Sequence, residues 1–286
     1  VDLSTAAGVD SVGDVFARAL RLRTSEGAGS FDDVESFLRA KRMLLVVDNF
    51  EHVAGAAPGL AALLRAAPGV TAVVTSRAPL RLTDERVYRV PPLRSAPTST
   101  RADPATLTQR FSAVRLFVDR ARAADRRFAL TDDNAGPVLE ITRRLNGVPL
   151  AIELAAARVP ILPPAAIAAR LDDQLSLLTG GPRDRPARQR TLRDTLAWSY
   201  DLLPPDAQRL FAFIGAFAGG FDLPAVEAVG ADEEVEVLDA LESLVDAALV
   251  DRDDDGEPAR FRVVDSVRDY ARERLGAGVE REAARA

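Results

Sequence analysis

The chain has 286 residues, 47% hydrophobic and 28% charged, a globular composition that excludes collagen-like, disordered and disulfide-scaffold classes. It has no Cys and a single His, His52, which excludes disulfides, thiolate nucleophiles, Cys-ligated or His-rich metal sites and paired-His catalysis. The net charge of −6 is uneven: residues 1–106 hold 13 basic and 12 acidic groups, residues 107–190 hold 14 and 9, and residues 191–286 hold 10 and 22.

Val1-Asp2-Leu3-Ser4 reads as the end of a strand. A helix follows over 11–22, with Val12, Val15, Phe16, Ala19 and Leu20 at helical spacing. Gly27 to Ser30 is a loop, and 31–39 a second helix turning Val34, Phe37 and Leu38 inward. Met43-Leu44-Leu45-Val46-Val47 is an unbroken apolar run ending at Asp48, the pattern of a strand buried on both faces. A helix over 56–66, a second buried strand over 70–75 and a shorter strand over 86–90 complete an α/β region. It is expected to form a parallel sheet with helices on both faces.

From Arg94 to Thr106 the chain turns rich in Ser, Thr and Pro, which reads as a flexible linker. Helices are expected over 109–125, 132–145, 149–158 and 164–172, then a loop over 180–190. The last stretch reads as helices over 191–202, 205–217, 222–229 and 234–247, then two short strands at 249–251 and 260–263 around the turn at 253–256, and a final helix over 265–276. Helices followed by a β-hairpin suggest a winged helix. The domain organisation is therefore a partial α/β domain over 1–95, a linker over 96–108, a helical domain over 109–180 and a winged helix over 190–276.

Asp48 closes a buried strand, at the sheet edge where ligands of open α/β sheets sit, and a carboxylate there can hold Mg²⁺ against nucleotide phosphates. Glu51 is the nearby carboxylate able to orient a water, which makes it the candidate catalytic residue. A solvated loop residue is the simpler account of Glu51, and a hydrogen-bonded loop or core residue of His52. Thr75-Ser76-Arg77 closes the next strand, so Arg77 is placed to read a phosphate. Gly147-Val148-Pro149-Leu150 is a sharp turn opening an apolar helix, with Pro149 at the first helical position. Only one of the 37 basic residues is a lysine, Lys41, in Arg39-Ala40-Lys41-Arg42. The sequence therefore contains no Walker A motif, which needs Lys after its last Gly.

The order of these pieces resembles the STAND class of P-loop NTPases, above all the NB-ARC-like ATPase modules of bacterial transcriptional regulators of the SARP and LuxR types. Leu44 to Val53 is similar to their Walker B segment, Val73 to Arg77 to their sensor 1 and Gly147 to Leu150 to their GxP motif. Arg262 to Ala271 resembles the end of their winged helix. The resemblance implies that Asp48 coordinates Mg²⁺, that Arg77 senses the γ-phosphate of ATP, and that Gly147 and Pro149 lie at the nucleotide with Pro149 packed on adenine. It also implies a winged helix that closes over bound ADP. Three departures stand out: no Walker A, Val264 where relatives carry the His of their MHD motif, and Asn49 in place of a second acid.

The expectation is an ATP- and ADP-dependent, Mg²⁺-using switch module of a transcriptional regulator. The whole protein would be at most a slow ATPase, and this chain a fragment that starts at the second strand and binds nucleotide weakly by itself. Its partners would be nucleotide and other domains or protomers of the same regulator. Direct nucleic-acid contact is not expected, because the candidate recognition helix over 232–242 is acidic. No apolar run reaches the roughly 18–20 residues of a membrane span and no signal peptide opens the chain, so the expected location is cytoplasmic. A nucleotide-free interaction scaffold is the alternative, and a DNA-binding winged-helix protein a further one.

Overall fold

A computed structural model describes residues 1–22, 31–97, 100–179, 181, 190–217, 219–230, 236–253 and 259–283. The loop expected at 27–30, most of that at 180–190, the turn after Asp253 and the acidic stretch 232–235 lie outside these residues. The chain divides into two compact units, Val1–Arg89 and Val90–Ala286.

In the first unit, β1 (Met43–Val47) and β2 (Val70–Val74) pair in parallel from Met43↔Val70 to Val47↔Val74. On the other side of β1, Asp2 bridges to Asp48 in parallel. There Leu3 N–H donates to Asp48 O at 3.0 Å and Asp48 N–H to Val1 O at 2.9 Å. Helices α1 (Val12–Ala19), α2 (Phe31–Leu38) and α3 (Ala57–Ala66) share one core with β1 through Phe16, Leu38, Leu60, Leu63, Leu45 and Val47.

Two expectations fail here. β1 is buried on one face, not two: Leu45 and Val47 are 4% and 0% exposed, whereas Leu44 and Val46 are 58% and 53% exposed and Val73 of β2 51%. A strand whose every residue is apolar hides its alternation, and among the described residues helices cover only the Leu45 face. Nor is 86–90 a strand. It runs without a ladder partner, leaving Val87 and Tyr88 exposed. β-branched and aromatic residues favour a strand only where a neighbour offers its edge. Just before it, Glu85 turns its carboxylate back to accept from Leu80 N–H at 2.9 Å and Leu82 N–H at 3.2 Å.

The second unit opens on extended chain laid over helices. Leu93 N–H donates to Gly147 O at 2.9 Å, Arg94 N–H to Ser112 Oγ at 2.9 Å, and Ser95 Oγ to Thr142 O at 3.0 Å. The stretch read as a linker thus lies within this unit and contains α4 (Pro104–Arg110), N-capped by Asp103. The helix expected over 109–125 is interrupted at Phe111, whose φ −119° and ψ 106° are extended, before α5 (Ser112–Ala124) begins. Further on come α6 (Asp132–Arg144), α7 (Pro149–Ala156), α8 (Pro164–Ala168), α9 (Gln174–Leu177) and α10 (Leu192–Asp201).

The last third is a winged helix. α11 (Pro205–Ile214) is followed by β3 (Phe221–Asp222), α12 (Leu223–Gly230), α13 (Val237–Asp246), β4 (Asp251–Asp253), β5 (Arg260–Arg262) and α14 (Asp265–Ala283). The three strands form an antiparallel sheet in the order β3-β5-β4, with Phe221 opposite Phe261 and Asp251 opposite Arg262. Its core continues that of the preceding helices. Tyr200, Phe211 and Tyr270 meet with ring centroids 5.5–6.1 Å apart, and Arg274 lies 4.7 Å from the Tyr200 centroid while donating to the Tyr270 hydroxyl.

Candidate functional site at the sheet edge

Parallel strands in register end together, so β1 and β2 deliver Asp48 and Thr75 side by side at the carboxyl edge of the sheet. Thr75 Oγ1 donates to Asp48 Oδ1. Asn49 follows in the left-handed conformation, φ +63° and ψ 47°, which Asn tolerates better than most residues. That turn lets its backbone N–H reach Thr75 Oγ1 at 3.2 Å, while its amide bridges Asp48 Oδ2 at 3.2 Å and Asp2 Oδ1 at 3.1 Å. Phe50 N–H closes the turn on Thr75 O at 3.1 Å. Asp2 is held below the ordinary carboxylate range, first by the Ser4 N–H it accepts at 2.9 Å, next by the Ser4 side chain and more weakly by the Asn49 amide.

Asp48 is exposed and each of its oxygens accepts one hydrogen bond, which leaves lone pairs on both. Among the described residues no group of three or more His, Asp or Glu could hold a metal. Mg²⁺ on a nucleotide needs only one or two carboxylates beside phosphate and water, and Asp48 is the residue at this edge that could supply one. Asp48 would be its protein ligand, and Mg²⁺ there would offset phosphate charge.

Glu51 sits half-buried in the 3-10 turn Phe50–Ala56 that follows, and Arg77 half-buried three residues beyond β2. Both ring nitrogens of His52 are buried without a hydrogen-bond partner among the described residues, which suits a packed residue better than a proton shuttle. Asn49 as a bridge, and Asp2 as its second anchor, were not legible in the motif, because neither pairing follows from local spacing.

In the second unit, Asn146 and Gly147 are both left-handed, at φ +50° and +67°. A Cβ on Gly147 would stand 2.0 Å from Leu93 O. Gly147 is buried, whereas Pro149, first residue of α7, is exposed. On α13, Glu236 just before it and Leu238, Asp239 and Glu242 within it face outward.

These features define an α/β region and a helical region followed by a winged helix. Residues 203–276 match the winged helix-turn-helix domain family. Over 287 residues the chain is 38% identical to "Uncharacterized protein Rv0894" of Mycobacterium tuberculosis, covering 99% of this chain and 70% of that protein; it belongs to that protein's family. It is 41% identical over 280 residues to "Putative HTH-type transcriptional regulator Rv0890c" of the same organism and to "Putative HTH-type transcriptional regulator Mb0914c" of Mycobacterium bovis. The chain spans about a third of those two relatives, 30% of each, against 96% of its own length.

Proposed function

We propose that this chain is the nucleotide-switch part of a transcriptional regulator, with Mg²⁺-ATP and ADP bound at the sheet edge of its first unit. The observation that carries the reading is the placement of Asp48 beside Thr75 where two parallel strands end in register. The names of its relatives support the regulatory half. A ligand shifts a conformational equilibrium only by binding one state better than the other. Arg77, three residues beyond β2, is the guanidinium assigned to supply that difference by reading the γ-phosphate that ADP lacks. Glu51 is the carboxylate able to orient a water for slow hydrolysis. The output acts through other domains or protomers of the regulator.

Calorimetry with ATP or ADP and Mg²⁺ tests this on residues 1–286 and on a form extended upstream in its own gene. The longer form is expected to bind and to lose at least about tenfold on Asp48→Ala, the order reached when a metal site is damaged. The shorter form, without a Walker A lysine, binds weakly; a micromolar affinity for it would overturn that part. If neither form binds, the nucleotide reading fails.

A second reading rests on the uncovered sheet face: Leu44, Val46 and Val73 together suit a nucleotide-free scaffold that contacts another protein. Direct DNA reading has the winged helix-turn-helix match in its favour, but the charge of the recognition helix opposes it.

A further inference from the structure

We infer that the second unit carries an anion pocket, formed by Arg94, Arg101 and Arg110 around Phe111, that takes the diphosphate group of a small molecule without Mg²⁺. The pocket is independent of the nucleotide reading, since it uses no residue of the first unit. Its cavity is about 350 Å³, within the range of small-ligand sites. The three arginines are exposed, and none of their guanidinium groups has a hydrogen bond or ion pair among the described residues. Phe111 forms an apolar wall, 3% exposed, with the Arg94 and Arg110 guanidinium carbons 5.8 and 5.6 Å from its centroid. Two cations share one ring, and among the described residues neither is paired with a carboxylate. Asp103, the acid nearest in sequence, is engaged at the start of α4, accepting from Thr106 N–H at 3.0 Å and Thr106 Oγ1 at 2.6 Å.

The walls are preorganised. Arg94 is fixed through its backbone, by its N–H to Ser112 Oγ and by Ala113 N–H to its carbonyl at 3.2 Å. Ser95, also lining the cavity, spends its proton on Thr142 O and can only accept, whereas the Thr100 hydroxyl can donate. The surroundings reinforce the sign: residues 90–190 hold 16 Arg against 10 acidic residues. Guanidinium forks match phosphate oxygens in pairs. A single carboxylate would leave two of the three cations unmatched, whereas a diphosphate brings oxygens and charge enough for all three.

The probe is inorganic pyrophosphate, titrated calorimetrically into the whole chain at low salt in the presence of EDTA, with ADP and a short DNA duplex in parallel. Submillimolar pyrophosphate binding is expected, weakening as salt rises and falling about tenfold or more on Arg101→Gln or Arg110→Gln, as when a charge-assisted contact is removed. Arg115→Gln, an exposed arginine of α5 outside the pocket, should leave it unchanged. Equal pyrophosphate and ADP affinities would mean that only the diphosphate is read, and tighter ADP binding, weakened by Arg101→Gln in step with pyrophosphate, that its nucleoside also finds contacts; both support the pocket. No heat at about 1 mM pyrophosphate, an equal loss on Arg115→Gln, or binding to duplex alone would overturn it. Because EDTA removes Mg²⁺, failure at the sheet edge leaves this result untouched, and the reverse also holds.

Discussion

Gly147→Ala tests whether the turn before α7 needs glycine to pack against the extended chain at Leu93. Ala at φ +67° costs about 1 kcal/mol in backbone conformation alone. Its Cβ would begin 2.0 Å from Leu93 O, with Leu93 C at 3.0 Å and Leu93 N at 3.1 Å, so the extended chain must retreat from the turn. Retreat breaks the 2.9 Å bond from Leu93 N–H to Gly147 O, worth about 1 kcal/mol, and strains the neighbouring Ser95–Thr142 bond. Together about 2–4 kcal/mol is lost, which for a unit of this size lowers its melting temperature by roughly 5–15 °C. Calorimetric or circular-dichroism melts without nucleotide are the assay, with urea titration for the free energy. The transition of the first unit should not move. A loss under about 0.5 kcal/mol, the scatter of neutral surface changes, would refute the packing account.

Other expectations follow from single residues. Leu45→Ala should cost about 2–5 kcal/mol, whereas Leu44→Ser, one residue along the same strand, should stay within about 0.5 kcal/mol; equal losses in denaturant titration would mean that the Leu44 face is covered after all. Burial pushes the Asp269 carboxyl up, against the pull of Arg268 and Arg272. Its folded value lies above its unfolded one, so its contribution is fully present below pH 3.8 and lost as pH rises through the folded value. Asp269→Asn should therefore raise the melting temperature at neutral pH and leave it unchanged near pH 3. A fall at neutral pH would mean that the two arginines outweigh the burial.

The two paired strands were legible because Met43–Val47 and Val70–Val74 are short, apolar and rich in β-branched residues. What covers them was not: period-2 burial leaves no trace when both faces are apolar, so Leu44 and Leu45 look alike in sequence and differ more than tenfold in exposure. The break at Phe111 has no Gly or Pro to announce it. It is set by packing, since Ala113 N–H reaches back to Arg94 O across the extended segment. The same limit shaped the site. Asp48 and Thr75 could be placed because strand ends are local features, and Gly147 because Gly-x-Pro is a turn by itself. Asp2 and Leu93, which complete those two places, are joined to them only by the fold.

The winged helix poses the sharpest conflict between shape and charge. DNA affinity comes largely from lysines and arginines that displace counterions from phosphates, and even non-specific binding near 10⁻⁴–10⁻⁶ M depends on them. Yet from Leu210 to Asp251, a span that contains α12 and α13, the chain has no Lys or Arg and ten acidic residues. Glu236, Asp239 and Glu242 face outward where a recognition helix would meet the groove. Residues 1–286 should therefore give no mobility shift with duplex DNA at physiological salt. Replacing Glu236 and Asp239 with Lys should create weak, salt-sensitive binding if charge alone is the obstacle. A wild-type chain that binds duplex at micromolar concentration, with a steep salt slope, would show that cations elsewhere in the fold do the work and would make this winged helix a DNA reader. Without such binding, its acidic face is left for a protein surface of the opposite sign.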